Sequence, residues 1–163
     1  MNKVINSTIG ILGGSFDPPH VGHLKISSLS IKKLRLSKLY WIITKKNPFK
    51  KKPYFNTNKR LELSKKITAK NKKIFTFFLD DKNKLNNNFN LLNYLKKKNK
   101  NSKLFFLMGA DNLIKFHKWY KWKQIPSVAK IVIFSRKGYS VKALNSTAAK
   151  MLKKNDWVYV NSK

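Results

Sequence analysis

Gly13, Gly14, Ser15, Phe16, Asp17, Pro18, Pro19, His20, Val21, Gly22 and His23 gather chemically useful residues in one short stretch. The two glycines let backbone approach a ligand closely, and a helix starting just after them offers unpaired N–H groups and a positive dipole end, both suited to phosphate. His20 and His23 lie three residues apart at that helix start, so both imidazoles can face the same phosphates as tunable donors. The alternative is that one histidine caps the helix and the other packs. Zinc is a poor reading, because cysteine is absent and only His117 remains as a third imidazole. Neither G-x-x-x-x-G-K-[ST] nor G-x-G-x-x-G is present, so the stretch is neither a Walker loop nor a dinucleotide fingerprint.

Other candidates are more ambiguous on their own. Asp111 follows an apolar run and can either face a ligand or cap the next helix. Trp119 and Trp122 suit packing as readily as a ligand platform. Lys50 sits in the run Lys50 to Lys52, where a solvated charge is the ordinary outcome. Arg136 is one of only three arginines, so the lysine bias of the chain does not readily explain it.

These residues need a scaffold, and alternating apolar segments supply one. Ile9 to Leu12 reads as a buried strand ending in a tight turn at Gly13-Gly14. A helix is expected from His20 to Arg35, its stripe of Val21, Leu24, Ser28, Ile31 and Leu34 facing a sheet. Further strands are expected at Leu39 to Ile43, Ile74 to Leu79, Leu104 to Met108, Ile131 to Phe134 and Trp157 to Val160. Helices are expected near Lys59 to Ala69, with Asn56 or Thr57 as N-cap, and through Leu91, Leu92 and Leu95. Others follow after Asp111, around Trp122 and near Ala143 to Lys153. Strands alternating with helices imply an α/β, Rossmann-like, doubly wound and mainly parallel sheet with helices on both faces. In such a sheet, ligands bind beyond the carboxyl ends of the strands, beside the first one.

The chain has 163 residues, a single-domain length, and needs no disulfide or metal staple. Its 37 Lys and Arg against 6 Asp and Glu give a formal charge of +31. A charge this high attracts polyanions, yet lysine dominates over the arginine that nucleic-acid readers favour, and much of it reads as solvated surface. No specific nucleic-acid partner is expected. With 42% hydrophobic residues the chain is no disordered tail. No apolar run approaches the roughly 18 residues of a membrane span, so a soluble, cytoplasmic protein without a membrane partner is expected.

The stretch GGSFDPPHVGHL, Gly13 to Leu24, resembles the first signature of the nucleotidylyltransferase superfamily, with its (H/T)xGH motif at His20 to His23. Within it the chain is similar to the bacterial nicotinate-nucleotide adenylyltransferases. Asn47-Pro48-Phe49-Lys50 resembles their basic loop and Arg60 the arginine opening the next helix. Met108 to Leu113, followed by Phe116, Trp119 and Trp122, resembles their G-x-D and tryptophan segment, and Phe134 to Gly138 their strand-end arginine. The resemblance implies adenylyl transfer from ATP to nicotinate mononucleotide, giving deamido-NAD and pyrophosphate, with Mg²⁺ carried by the ATP phosphates and no protein-held metal. It implies that His20, His23 and Lys50 serve catalysis. Gly13, Gly14, Ser15, Phe16, Gly109, Asp111 and Arg136 would bind ATP, and Trp119, Arg60 and Asn88 would bind the nicotinate nucleotide.

Two departures from the family pattern bear on this expectation. The family's S-Y-T-x-x-T-L-like segment is here Asn86 to Leu92, without its hydroxyls, which leaves nicotinamide mononucleotide as an alternative acceptor. The distal [ST]-S-T-x-[IL]-R motif has no counterpart after Tyr159 to Lys163, so residues 1–163 are expected to form one nucleotidylyltransferase domain lacking that motif. Transfer to another phosphate acceptor, or a catalytically impaired basic remnant that binds nucleic acid, are the competing expectations.

Overall fold

The computed structural model describes residues 7–45, 52–79, 85 and 87–162. Its strands are β1 (Ser7–Gly14), β2 (Lys38–Ile43), β3 (Ile74–Phe78), β4 (Ser102–Gly109), β5 (Lys130–Phe134) and β6 (Trp157–Val160). Its α-helices are α1 (Val21–Lys33), α2 (Thr57–Thr68), α3 (Asn88–Lys98), α4 (Ala110–Lys115), α5 (Ser140–Leu144) and α6 (Thr147–Met151). Short 3-10 turns occupy Phe116–Lys118 and Trp122–Ser127.

All strand pairs are parallel, in the order β3-β2-β1-β4-β5-β6. The chain therefore winds outward from β1 in one direction, then restarts at β4 and winds in the other. This doubly wound order opens a crevice at the carboxyl ends of β1 and β4, where the connections leave on opposite faces. Leu12 pairs with Leu107, so Gly13-Gly14 and Met108-Gly109 reach that crevice side by side.

The sheet is buried on both faces, which is why its central strands read as continuous apolar runs. Leu12, Leu39, Trp41, Ile43, Leu107 and Phe134 pack under α1 and α2. Ile9, Ile11, Ile42, Phe106, Met108 and Ile133 form the other core with α3 to α6. These two cores hold the strand ends, and hence the crevice, in place.

Three local expectations are corrected. Gly13 and Gly14 form the last two positions of β1, paired with Ile42 and Ile43, and the turn lies beyond them. The buried face of α1 is centred on Ser27 and Ser30, whereas Val21 is 75% exposed and Ser28 is also exposed. Each buried hydroxyl donates to the carbonyl four residues back, His23 and Ile26, and so enters the core satisfied. The single helix expected near Ala143 to Lys153 is two, because Asn145 ends α5 and Ser146 caps α6 through the Ala149 N–H.

Candidate active site

The turn from Ser15 to His20 carries the chain from β1 into α1. Phe16 within it is left-handed, with φ of 46°, and its side chain is buried. The ring stacks on Trp41 at 4.7 Å and touches the His23 ring at the same centroid distance. Trp41 is anchored in turn by its Nε1–H, which donates to Ser27 Oγ at 2.8 Å. Phe16 thus forms the floor under the histidines, its side chain buried, so that the nucleotide contact expected of it falls to its backbone.

His20 is the N-cap of α1, and the two histidines close a reciprocal capping box. His20 Nδ1 accepts the Gly22 N–H, and His23 Nδ1 accepts the His20 N–H, both at 3.1 Å. The ring centroids lie 3.9 Å apart. An Nδ1 that accepts cannot carry the proton, so this pattern assigns both neutral rings to the Nε2–H form. Both histidines therefore cap through Nδ1, a pattern that puts the proton of a neutral ring on Nε2. Gly22 is required by the same arrangement, because a Cβ there would stand 2.8 Å from His20 Cε1 and 2.9 Å from its Nδ1.

Across the crevice, Gly109 ends β4 and leads directly into α4. Asp111 does not cap this helix. Its Oδ2 accepts from Arg136 Nη1 at 2.6 Å, and its Oδ1 lies 2.6 Å from where a Cβ on Gly109 would stand, so a side chain there would push the carboxylate aside. Arg136, just past β5, also lies over the Tyr139 ring. Asp111 and Arg136 thereby form a charged pair at the ends of β4 and β5. Beside it, Ser162 N–H donates to Ser135 Oγ and Ser162 Oγ donates to the Ser135 carbonyl, each at 2.8 Å, joining the segments after β5 and β6.

Asn88 opens α3, whose N-cap is Asn87. Its Oδ1 is 3.8 Å from the position a Cβ on Gly13 would take, which places the carboxamide beside the end of β1. Trp119 is half-buried and packs edge-on against Phe106 and Phe116, so most of its ring belongs to the core. The neighbouring Tyr120 is 54% exposed and meets Phe89 of α3 edge-on at 6.2 Å. Lys121, left-handed at φ 49°, holds its ammonium over both rings. The sequence reading passed over Tyr120 and Lys121, although they lie inside its tryptophan segment.

Arg60 departs most from expectation. It is 1% exposed, and its five N–H groups are matched by five protein oxygens, leaving no donor for a nicotinate nucleotide. Burial lowers its pKa from the usual arginine value, an effect the nearby Asp17 carboxylate opposes. The expected ligand contact is replaced by a structural one. Lys50, with Asn47 to Phe49, lies outside the described residues.

The crevice thus collects Gly13, Gly14, Ser15, His20, His23, Asn88, Gly109, Asp111 and Arg136, with Phe16 and Arg60 beneath it. Concavities of about 330 and 340 Å³ flank α2, but neither is lined by these groups. Among the described residues no cluster of three or more His, Cys, Asp or Glu is placed to hold a metal, and no helix is long and apolar enough to cross a membrane. Two imidazoles at a helix start, glycine-lined strand ends and an arginine suit a polyphosphate more than any other ligand.

Residues 11–162 match the cytidylyltransferase-like family. The chain is 45% identical over 155 residues to the probable nicotinate-nucleotide adenylyltransferase of Pelagibacter ubique, covering 95% of this chain and 86% of that protein. Identity to the probable nicotinate-nucleotide adenylyltransferase of Aliarcobacter butzleri is 39% over 132 residues, or 80% of this chain and 72% of that one. Among solved structures, the Plasmodium falciparum nicotinic acid mononucleotide adenylyltransferase complexed with NaAD superposes with a TM-score of 0.73 at 17% identity. It covers 96% of this chain and 75% of its own, and shows that the fold is shared.

Proposed function

We infer the activity from kinship and chemistry together: the chain belongs to the cytidylyltransferase-like family and, within it, to the nicotinate-nucleotide adenylyltransferases. It is an enzyme of NAD biosynthesis that transfers the adenylyl group of ATP to nicotinate mononucleotide. A phosphate oxygen of the mononucleotide attacks the α-phosphorus of ATP in line. One P–O bond forms, the bond to the β-phosphate bridge breaks, and deamido-NAD and pyrophosphate result. No covalent enzyme intermediate is needed, so the protein contributes position and charge.

The observation that carries the assignment of roles is the histidine capping box. It holds both imidazoles as Nε2–H donors at a helix N-terminus beside two glycines, where negative charge on the triphosphate shifts during transfer. In this reading Gly13, Gly14 and the backbone of Ser15 and Phe16 admit ATP, and Asp111 and Arg136 bind its nucleoside and phosphate portions. Lys50 adds charge to the phosphates. The pyridine ring lies between Asn88 and the backbone and aromatic groups at Trp119 and Tyr120.

Nucleotidyltransferases of this kind use a divalent metal with ATP. We take it to be Mg²⁺, entering on the triphosphate. When bound, it neutralises phosphate charge; the protein's part is to hold the phosphates around it. The reaction belongs in the cytoplasm, where ATP and the mononucleotide are available.

The test is product formation. With Mg²⁺-ATP and nicotinate mononucleotide, the chain should release pyrophosphate and form deamido-NAD in equal amounts. Absence of product with this acceptor, but turnover with another phosphate acceptor in a panel, would overturn the substrate assignment.

A further inference from the structure

We infer that Arg60 and Asp17 are a positioning pair that holds the turn presenting the two catalytic histidines. On α2, Arg60 donates from Nη1 to the carbonyls of Ser15 at 2.8 Å and Thr44 at 2.7 Å. Its Nη2 donates to the Lys45 carbonyl and Thr57 Oγ1, and its Nε to the Phe55 carbonyl. One side chain therefore ties together the β1–α1 turn, the end of β2 and the lead-in to α2. Asp17 makes the complementary set: its two carboxylate oxygens accept the N–H groups of Tyr54 and Phe55 at 2.5 and 2.8 Å.

The placement of these bonds within the turn matters. Ser15 is held by Arg60, Asp17 holds residues 54 and 55, and between them sits Phe16 in the left-handed region. A non-glycine residue there is strained and persists only when its surroundings over-determine it. Arg60 and Asp17 supply those constraints on both sides of it. The strained Phe16 puts its ring under His23, so the pair acts on the histidines through one intervening residue.

Lysine cannot reproduce this function. An ammonium has three donors and no planar fork, so it cannot serve five acceptors arriving from three segments. Loss of the fork should release the turn, and a displacement on the order of 1 Å at a reacting group costs about 10²-fold in rate.

The inference rests on the adenylyltransferase reading for its kinetic consequence, but not for its structural one, and the experiment separates them. Arg60→Lys, Arg60→Gln and Asp17→Asn are compared with the unaltered chain by imidazole ¹H–¹⁵N spectra and by titration with Mg²⁺-ATP and with nicotinate mononucleotide. In the unaltered chain both histidines should show the Nε2–H form. Folded Arg60→Lys should lose that signature, bind Mg²⁺-ATP about tenfold or more weakly, and bind nicotinate mononucleotide within about twofold of the original. Asp17→Asn should lie between and serves if the Arg60 variants do not fold. Unchanged histidine spectra and unchanged Mg²⁺-ATP affinity in a folded variant would overturn the proposal, and a selective loss of mononucleotide affinity would return Arg60 to direct substrate binding. Failure of the unaltered chain to turn over would overturn the activity alone, since the spectra report on the turn regardless.

Discussion

His23 Nδ1 receives the backbone N–H of His20 at 3.1 Å, so the second histidine of the motif fixes the entry to the helix that the first one caps. This bond explains the spacing. Three residues separate an N-cap from the position whose side chain can reach back to it. The usual occupants of such a box are Ser or Thr with Glu or Gln, and a carboxylate in it accepts without donating and brings negative charge. Imidazoles accept through Nδ1 and still carry a proton on Nε2. The box can therefore close without putting negative charge where a triphosphate must bind; the first turn of α1 contains no acidic residue.

Gly22→Ala tests the steric half of this arrangement. The added methyl would lie under 3.0 Å from the His20 ring, which must swing off its cap. Helix propensity favours alanine over glycine by roughly 0.5–1 kcal/mol, so stability should change little while turnover falls about 10²-fold. Thermal melting and steady-state kinetics on the same preparation check it; unimpaired turnover would show that His20 need not lie against Gly22.

The Asp111–Arg136 pair should matter for substrate far more than for folding. The arginine side chain is 60% exposed and the aspartate 27%, and exposed ion pairs contribute about 0–1 kcal/mol. Arg136→Gln should leave the melting temperature nearly unchanged yet raise the KM for ATP about tenfold, as loss of a charge-assisted hydrogen bond does. Asp111→Asn should show the same pattern of retained stability and weakened nucleotide binding. A large fall in melting temperature with unaltered KM would assign the pair to the scaffold.

In the proposed pocket Asn88 would present a neutral carboxamide, with N–H donors and a carbonyl acceptor, to the acceptor nucleotide. Asn88→Asp places a carboxylate beside the end of β1 and should raise the KM for nicotinate mononucleotide about tenfold through like-charge repulsion, with a smaller effect on nicotinamide mononucleotide. Competition between the two acceptors measures the ratio. An unchanged ratio would remove Asn88 from the pocket.

Much of the architecture was legible because parallel strands buried on both faces appear as short apolar runs, as at Ile131 to Phe134 and Trp157 to Val160. The buried face of α1 was not, since Ser27 and Ser30 satisfy their hydroxyls internally and leave no apolar trace. The histidine motif and the glycines ending β1 stood out through residue type and spacing, and Gly109 at the end of β4 through the family resemblance alone. Arg60 looked like a ligand contact because it resembles the arginine that opens the corresponding helix in the family; that five oxygens from distant segments converge on it depends on tertiary structure. The approach of Asn88 to Gly13 and of Tyr120 to Phe89 likewise joins residues far apart in the chain.

The most direct measurement compares pyrophosphate release by the unaltered chain and by His20→Asn, with Mg²⁺-ATP and nicotinate mononucleotide. Asparagine is a strong N-cap, so the substitution keeps the helix entry while removing the imidazole donor. The unaltered chain should turn over, and His20→Asn should fold with a similar melting temperature but release pyrophosphate about 10²–10³-fold more slowly. No release by the unaltered chain, or equal rates in the two proteins, would contradict the account.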